Sequence, residues 1–274
     1  MMNEERLQSD SAPNAAVTDY TQQNRRAWNE IADVRFQNKG WPGPDFYRNG
    51  GTLIDTHLLA AAGDVQGQTL LHLQCATGEE TLSWAVAGAM STGVDISDRQ
   101  IEIAAAQAAA AGLNATFVAA DLYALPAGLQ QETFDLVYTG GGVLVWLPDI
   151  VRWAQIVAAA LRPGGRFLLW EEHPIAGCLW TVDGKVEITS DYFGRSRPEW
   201  NVGWGHFSGG ENATEQKAEF LWPLGDIITA LVKAGLQIEA LHEYPSQAEW
   251  RFGEKLEEVQ RLPGTMLVVA RRPV

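Results

Sequence analysis

The stretch "LLHLQCATGEETLSWA", residues 70–85, decides the fold class of this 274-residue chain. An apolar run leads into a short turn and then into a helical pattern, which is typical of a strand that feeds a nucleotide-binding loop. Such loops usually carry several glycines, whereas here only Gly78 follows Gln74, Cys75, Ala76 and Thr77. The stretch therefore predicts a nucleotide-type site whose loop has been altered.

Strand and helix patterns alternate on the carboxyl side of this stretch. The predicted strands are "TLLHLQC", "STGVDIS", "ATFVAADL", "TFDLVYTGGG", "RFLLWEEHP", "QIEALHEYP" and "GTMLVVARRP". The predicted helices between them are "EETLSWAVAGA", "DRQIEIAAAQAAAAG", "DIVRWAQIVAAAL" and "PLGDIITALVKAGL". A βαβα order of this kind predicts an α/β fold with a doubly wound parallel sheet.

The remaining segments define the organisation of one predicted domain, residues 1–274. Residues 1–60 are an N-terminal tail, frayed to about residue 17, and a helical cap; 61–173 are the cofactor-binding core; 174–222 are a substrate-side insertion; 223–274 are a C-terminal helix and two strands. In the cap, Trp28, Ile31 and Arg35 share one helical stripe, and a Pro- and Gly-rich loop precedes a helix from about Thr52 to Ala62.

The composition excludes several classes of function. A net charge of −14 and a sequence pI near 4.7 disfavour binding to nucleic acid. The polar, acidic start and the lack of an apolar run of about 20 residues predict a soluble, cytoplasmic protein without a membrane segment. Two cysteines far apart in sequence, and no clustered His or Cys ligands, predict reduced thiols and no metal site. A monomer or a homodimer is expected.

The residues that end the predicted strands indicate the ligand. Asp95 ends the second strand, 17 residues after Gly78, where a carboxylate can accept hydrogen bonds from both hydroxyls of a ribose. Asp121 ends the third strand, where it can accept from the exocyclic amine of adenine. The loop lacks the G-x-G-x-x-G pattern, and Glu79 and Glu80 in the first helical turn oppose a phosphate. The pattern favours adenosine without phosphates over a dinucleotide.

The chain resembles the class I S-adenosylmethionine-dependent methyltransferases. Five motifs occur in order over about residues 65–274: "LLHLQCATG", "GVDIS", "FVAADLYALP", "FDLVYTGGG" and "LRPGGRFLLWEEHP". The "HLQC" opening, with "WLPD" and "HP", is similar to a variant subgroup that methylates small molecules. The resemblance implies a Rossmann-like seven-stranded sheet with the last strand antiparallel, S-adenosylmethionine as cofactor, and a small-molecule acceptor.

The resemblance also implies roles for individual residues. Asp95 would hold the ribose, Ile96 and Leu122 would flank the adenine, and Asp121 would hold its amino group. The family's D-x-G-x-G-x-G is replaced by residues 72–78, and Gln74 in place of a glycine is expected to restrict positive φ while offering an amide to the methionine moiety. The full set of predicted cofactor-binding residues is Trp28, His72, Gln74, Cys75, Ala76, Gly78, Thr81, Asp95, Ile96, Ala120, Asp121, Leu122, Thr139 and Gly140.

The acceptor side is predicted from the aromatic-rich insertion and the ends of the fourth and fifth strands. His173, just past the fifth strand, is the candidate general base, although methyl transfer to an ionised or amine acceptor needs none. Val143, Tyr192, Trp200, Trp204 and His206 are the predicted substrate residues, and a planar or apolar acceptor that reacts at oxygen or nitrogen is expected.

Other interpretations compete with these predictions. A non-catalytic S-adenosylmethionine-binding or interaction protein on a degenerate methyltransferase frame is the main alternative, and a nucleotide-dependent oxidoreductase is disfavoured by the missing phosphate loop. Cys75 is expected to be a small packing residue rather than a nucleophile. Trp84, Trp153 and Trp170 are expected on core faces of helices and strands.

Overall fold

A computed structural model describes residues 15–40, 42–131 and 133–274; the predicted tail up to residue 14 lies outside the described residues. The strands are β1 (Thr69–Leu73), β2 (Met90–Asp95), β3 (Ala115–Ala119), β4 (Phe134–Gly140), β5 (Leu161–Glu172), β6 (Leu179–Val182), β7 (Lys185–Ile188), β8 (Glu199–Val202), β9 (Gln216–Glu219), β10 (Gln237–Pro245) and β11 (Pro263–Arg271). The α-helices are α1 (Ala15–Lys39), α2 (Pro44–Arg48), α3 (Thr56–Ala62), α4 (Glu79–Val86), α5 (Asp98–Ala111), α6 (Ile150–Ala160), α7 (Pro174–Gly177), α8 (Leu224–Lys233), α9 (Glu249–Phe252) and α10 (Leu256–Val259).

Seven of these strands form one twisted sheet in the order β10-β11-β5-β4-β1-β2-β3. Strands β1 to β5 pair in parallel, and β11 runs antiparallel to both β5 and β10. The predicted Rossmann-like sheet with an antiparallel last strand is confirmed. Because β1 lies at the centre and the order reverses beside it, the carboxyl ends of β1, β2 and β4 open onto one crevice.

The core forms because the central strands are apolar on both faces and helices cover both. One face packs against α6 and α8, with Trp153 of α6 and Phe167 of β5 fully buried. The other packs against α3 and α4, where Trp84 is buried beside Tyr138. Trp84 and Trp153 are therefore core residues as predicted, whereas Trp170 is only partly buried and stacks on Tyr244.

The N-terminal cap differs from its prediction in two places. The segment predicted as a loop contains the short helix α2, which begins at Pro44, a residue whose fixed φ suits the first helical turn. The next helix begins at Thr56 rather than near Thr52, because the Asp55 side chain accepts a hydrogen bond from His57 N and caps the helix there. The long helix α1 through Trp28 and Arg35 is present as predicted.

The insertion between β5 and α8 consists of α7 and two antiparallel hairpins, β6-β7 and β8-β9, which the sequence pattern did not predict. Helix α1 packs along β9. The buried Asn24 of α1 donates from Nδ2 to Ala218 O at 2.9 Å and accepts from Ala218 N at 2.7 Å. Within the described part of the chain, no helix is both long and apolar enough to cross a membrane.

Candidate functional site

A cavity of about 1160 Å³ opens at the carboxyl ends of β1, β2, β3 and β4 and extends beneath α1 and the insertion. Its size exceeds that of most small-ligand pockets, so it has room for a cofactor and an acceptor together. Most of the predicted site residues line it: Trp28, His72, Gln74, Cys75, Ala76, Asp95, Ile96, Ala120, Asp121, Leu122, Gly140, Val143, Trp204 and His206.

The loop after β1 has the positive φ angles of a glycine-rich loop, although its residues at these positions are not glycines. Gln74 has φ 60° and Ala76 has φ 49°, both in the left-handed region that residues with a Cβ rarely occupy. The expectation that Gln74 restricts positive φ is wrong. Each non-glycine residue in this region costs on the order of 1 kcal/mol of conformational free energy. Such strain is typical of loops that bind a ligand.

The Gln74 side chain bridges two strand ends across the crevice. Its Nε2 donates to Val143 O at 2.9 Å, while its Oε1 is buried without a hydrogen-bond partner within the described residues. A buried acceptor left unpaired is costly unless a ligand completes it. This oxygen lies on a cavity-lining residue beside the strained turn, so it suits an ammonium group of a bound ligand.

Asp95, at the end of β2, is 8% exposed and already organises the loop. One carboxylate oxygen accepts from Ala76 N and the other from Ser97 N, each at 2.9 Å. Burial raises the pKa of this carboxyl group, and the two N–H donors oppose that rise. Each oxygen keeps a further lone pair, so the group is fixed in position with acceptor capacity left for two ligand hydroxyls.

Asp121 follows β3 and is shared with the cap. It accepts from Tyr123 N at 2.9 Å, and its second oxygen accepts from the Thr21 hydroxyl of α1 at 2.5 Å. Helix α1 thus reaches the predicted adenine end of the cavity. Leu122 beside it is buried, and Ile96 and Ala120 line the same region.

Three predicted cofactor residues support the loop and are not among the described residues that line the cavity. Gly78 has φ 83°, and a Cβ there would meet Ala104 and Phe117 at 2.8 Å, so it is required by close packing. Thr81 Oγ1 lies 2.8 Å from His72 Nδ1. Thr139 Oγ1 is buried without a partner in the described part of the molecule.

Behind the loop, the predicted residue His72 forms a polar group with Tyr138 and the partly buried Glu80, neither of which was a predicted site residue. Tyr138 donates to Glu80 Oε2 at 2.9 Å, and His72 Nε2 lies 4.0 Å from the same oxygen. Burial lowers the pKa of His72 to about 3, so its ring is neutral. Burial also raises the pKa of Glu80 to about 7, against the Tyr138 hydrogen bond, which lowers it.

Glu171, near the end of β5, is a second residue that the sequence prediction left out. It is buried and lines the cavity, and its carboxylate accepts from Val143 N, Leu144 N and Glu172 N at 2.9, 3.1 and 2.7 Å. Burial raises its pKa to about 7, although these three donors oppose the rise. Its position at a strand end was the available signal, and its role here is to hold the turn after β4.

His173 lies apart from the large cavity. It caps α7 by accepting from Ile175 N at Nδ1, its Nε2 lies 3.0 Å from Glu243 Oε1, and its ring lines a separate small pocket. Burial lowers its pKa, and Glu243 opposes that shift. The two residues before it, Glu171 and Glu172, line the main cavity, whereas His173 is not among the described residues that do so.

The predicted acceptor residues divide into two groups. Val143, Trp204 and His206 line the cavity, whereas Tyr192 and Trp200 are outside the described lining. The Tyr192 hydroxyl accepts from Leu224 N at 3.1 Å, and Trp200 is 48% exposed against Tyr20. The presence of aromatic residues in an irregular insertion therefore does not by itself predict which of them line a pocket.

An aromatic wall forms the insertion side of the cavity. Trp28 of α1, Trp146 after β4 and Trp204 pack with ring centroids 4.4–5.6 Å apart. His206 continues the wall toward Trp250, whose ring centroid lies 5.1 Å away. Trp146 and Trp250 were not predicted, because neither lies in a strand-end motif.

Two cations accompany this wall, and neither was predicted. Lys217 Nζ lies 4.0 Å above the Trp204 ring and 3.1 Å from Glu219 Oε1. Arg251 lies 4.8 Å from the rings of both Trp180 and Trp250 and contacts Glu172 Oε1 at 2.9 Å.

Comparison with known proteins places this site in context. Residues 70–165 match a family model described as a methyltransferase domain. A ubiquinone biosynthesis O-methyltransferase from Bordetella pertussis is 32% identical over 104 residues, which cover 38% of this chain and 42% of the relative. Across the Bordetella and Coxiella relatives of this name the match spans 42% to 64% of their length.

Two solved structures extend the comparison. An S-adenosylmethionine-dependent methyltransferase from Mesorhizobium loti is 28% identical, covers 79% of this chain and 96% of its own, and superposes with a TM-score of 0.59. The [4+2]-cyclase SpnF has the same fold at 18% identity, with coverages of 96% and 97% and a TM-score of 0.61. Residues 70–165 are thus similar to a methyltransferase domain, and the chain is similar in fold to S-adenosylmethionine-dependent methyltransferases.

Proposed function

We propose that the protein transfers a methyl group from S-adenosylmethionine to a small-molecule acceptor. The observation that carries the proposal is a strained loop whose Gln74, with a buried and unpartnered Oε1 among the described residues, lines the same cavity as the fixed carboxylate of Asp95. The S-adenosylmethionine-dependent relative from Mesorhizobium loti supports the choice of cofactor.

The residues fit this cofactor from end to end. Asp95 would take the ribose hydroxyls, Asp121 the adenine amine, and Ile96 and Leu122 the faces of the adenine ring. Gln74 would accept from the methionine ammonium. When bound, the cofactor supplies a methyl group activated by a sulfonium, and the protein's task is to place the acceptor in line with it and to exclude water.

We further propose that the acceptor binds between the turn after β4 and the aromatic wall. Gly141 and Gly142 have φ of 88° and 79° and carry no side chain, so an acceptor can approach the backbone there. The O-methyltransferase names of the relatives support an oxygen acceptor, and the "HLQC" opening supports the small-molecule subgroup as a proposal.

A general base at His173 stays a prediction. The contacts of its ring give it a capping role in α7, outside the large cavity. A base is dispensable when the acceptor is already ionised, since proximity and orientation then supply the catalysis.

Ligand-induced stabilisation tests the proposal directly. S-adenosylhomocysteine at about a hundredfold excess over its dissociation constant should add about 2.7 kcal/mol to the free energy of unfolding and raise the melting temperature by roughly 5–10 °C. A nicotinamide dinucleotide is the matched control and should give no shift. An unshifted melting temperature at saturating S-adenosylhomocysteine would refute the cofactor assignment.

A second measurement separates the enzyme from a non-catalytic binder. Incubation with methyl-labelled S-adenosylmethionine and a panel of planar phenols, amines and thiols should give a labelled product. Binding of S-adenosylhomocysteine without transfer to any acceptor would favour the non-catalytic alternative, and the [4+2]-cyclase relative shows that this fold also carries other reactions.

A further inference from the structure

The acceptor end of the cavity has an excess of hydrogen-bond donors. Trp204 Nε1 and Arg251 Nε are both buried and have no partner in the described part of the chain, and both residues line the cavity. The Arg251 side chain is 9% exposed. Unpaired buried donors cost free energy that an accepting ligand would recover.

Lys217 adds a buried ammonium to these donors. The residue is 8% exposed, and its Nζ rests on the Trp204 ring with Glu219 as its carboxylate partner. An ammonium group has three N–H donors, so one ion pair leaves donors for a ligand on the cavity side.

The carboxylates at this end are already engaged. Glu219 takes Lys217 and a hydrogen bond from Asn201 Nδ2 at 2.8 Å, and Glu172 takes Arg251. Glu199 accepts from Ser190 Oγ at 3.0 Å. Each of these carboxylates has a protein donor as its partner, whereas Trp204 Nε1 and Arg251 Nε have no acceptor among the described residues, and this favours a ligand that accepts hydrogen bonds.

We infer that the acceptor is a planar ring bearing an anionic oxygen, a carboxylate or an ionised hydroxyl, which packs against the aromatic wall beside Trp250 and is held by Lys217 with Arg251. This inference rests on the proposed methyl transfer and names its substrate class. An anionic acceptor needs no general base. This agrees with the position of His173, which is not among the described residues that line the cavity.

His206 lies near the same cations. Burial is the largest cause that lowers the pKa of this side chain to about 4, and Lys217, Lys39 and Arg251 lower it further. The imidazole is therefore neutral at pH 7 and does not compete with the ligand for the cations. Its ring packs at a tilt against Phe207, with ring centroids 4.1 Å apart.

Matched ligand pairs test the inference with the full-length protein saturated with S-adenosylhomocysteine. Calorimetry compares benzoate with benzamide, naphthoate with naphthamide, and para-nitrophenolate with para-nitroanisole. At least one anion should bind roughly tenfold or more tightly than its neutral partner, since a hydrogen bond to a charged group is stronger than a neutral one. The first two pairs report a carboxylate and the third an ionised hydroxyl.

Variants connect the preference to named side chains. Lys217→Met keeps the apolar stem and should reduce the anion's affinity to that of its neutral partner, while Lys233→Met, an exposed lysine on α8, should change nothing. Trp204→Phe keeps a ring and removes one donor, so it should weaken anion binding severalfold. The wild-type comparison keeps the test valid if a variant misfolds.

The outcomes separate this inference from the proposed function. Binding of no anion to the S-adenosylhomocysteine-loaded protein, equal affinity within every pair, or an unchanged preference in a folded Lys217→Met variant would overturn the inference. Failure of S-adenosylhomocysteine itself to bind would overturn the proposed function instead.

Discussion

Two carboxylates at neighbouring strand ends are expected to contribute unequally to cofactor affinity. Asp95 is buried and held by two backbone N–H groups, whereas one oxygen of Asp121 is shared with the Thr21 hydroxyl. Asp95→Ala removes a charged acceptor for two ribose hydroxyls and should weaken S-adenosylhomocysteine binding by about 2–3 kcal/mol, against about 1 kcal/mol for Asp121→Ala. Calorimetry on both variants measures the difference. Normal affinity in a folded Asp95→Ala variant would place the ribose elsewhere.

Glu80 makes stability depend on pH near neutrality. Its pKa rises from 4.5 to about 7 in the folded protein, chiefly by burial. The folded state thus binds this proton more tightly than the unfolded chain, so the stabilisation is complete below about pH 4.5 and is lost as the pH rises through about 7. Glu80→Gln mimics the protonated form and can still accept from Tyr138.

We therefore expect Glu80→Gln to raise the free energy of unfolding by roughly 1–2 kcal/mol near pH 8 and to have little effect near pH 5. Because the Glu80 side chain is 28% exposed, the expected change in the free energy of unfolding is smaller than the whole pKa shift would give. Urea denaturation at both pH values measures it, with the exposed Glu257→Gln as control. An equal effect of Glu80→Gln at both pH values would contradict the titration.

At single residues, sequence reasoning could locate side chains whose position the fold determines, while their roles stay predictions. Asp95 and Asp121 could be located because a parallel sheet gathers its strand ends at one edge. The backbone conformation of Gln74 could not be predicted, because its positive φ goes with a side-chain hydrogen bond to Val143 O, which follows a strand distant in sequence. Lys217 was missed because its burial depends on packing with Trp204 across the insertion.

Among the elements, α1 is attached to the insertion by two similar side-chain bridges. Asn24 binds both backbone groups of Ala218 in a buried position, and Asn38 binds both backbone groups of Ser208 in an exposed one. Asn24→Ala should lower the free energy of unfolding by about 1–3 kcal/mol, since buried backbone groups lose their partner. Asn38→Ala is the matched control, because water can replace its contacts.

Hydrogen exchange shows whether the bridge fixes the helix. In Asn24→Ala the amides of α1 and β9 should exchange faster than in the wild type, with the central strands unchanged. Equal protection of α1 in the Asn24→Ala and Asn38→Ala variants would show that its other contacts, such as the packing of Ala27 and Ile31 and the Thr21–Asp121 hydrogen bond, suffice to hold the helix.

Element prediction was accurate where a pattern was long and periodic. The bounds of α8 and β10 follow their apolar spacing closely, and α6 stops before Pro163 as expected. The hairpins β6-β7 and β8-β9 escaped prediction because their strands have four residues each and are mostly exposed, so they lack an alternating apolar face.

At the scale of the molecule, the acidic surface and the cavity chemistry point to different ligands. The net charge of −14 disfavours polyanions at long range, whereas the proposed acceptor site uses Lys217 and Arg251 to hold one small anion behind an aromatic wall. Screening by salt confines the repulsion to about 10 Å, so an anion that has entered the cavity is governed by its immediate neighbours. Total charge alone could not have predicted this site.

The bridges between α1 and the insertion have a kinetic consequence. Thr21 of the helix lies at the cofactor end of the cavity, and Trp28, Trp204 and Lys217 lie at the acceptor end. Because Asn24 and Asn38 join these parts, one opening movement serves both ends. If the protein transfers methyl groups as proposed, S-adenosylhomocysteine and the methylated product would leave through the same opening, and we expect a rapid first turnover followed by a slower steady rate set by their departure.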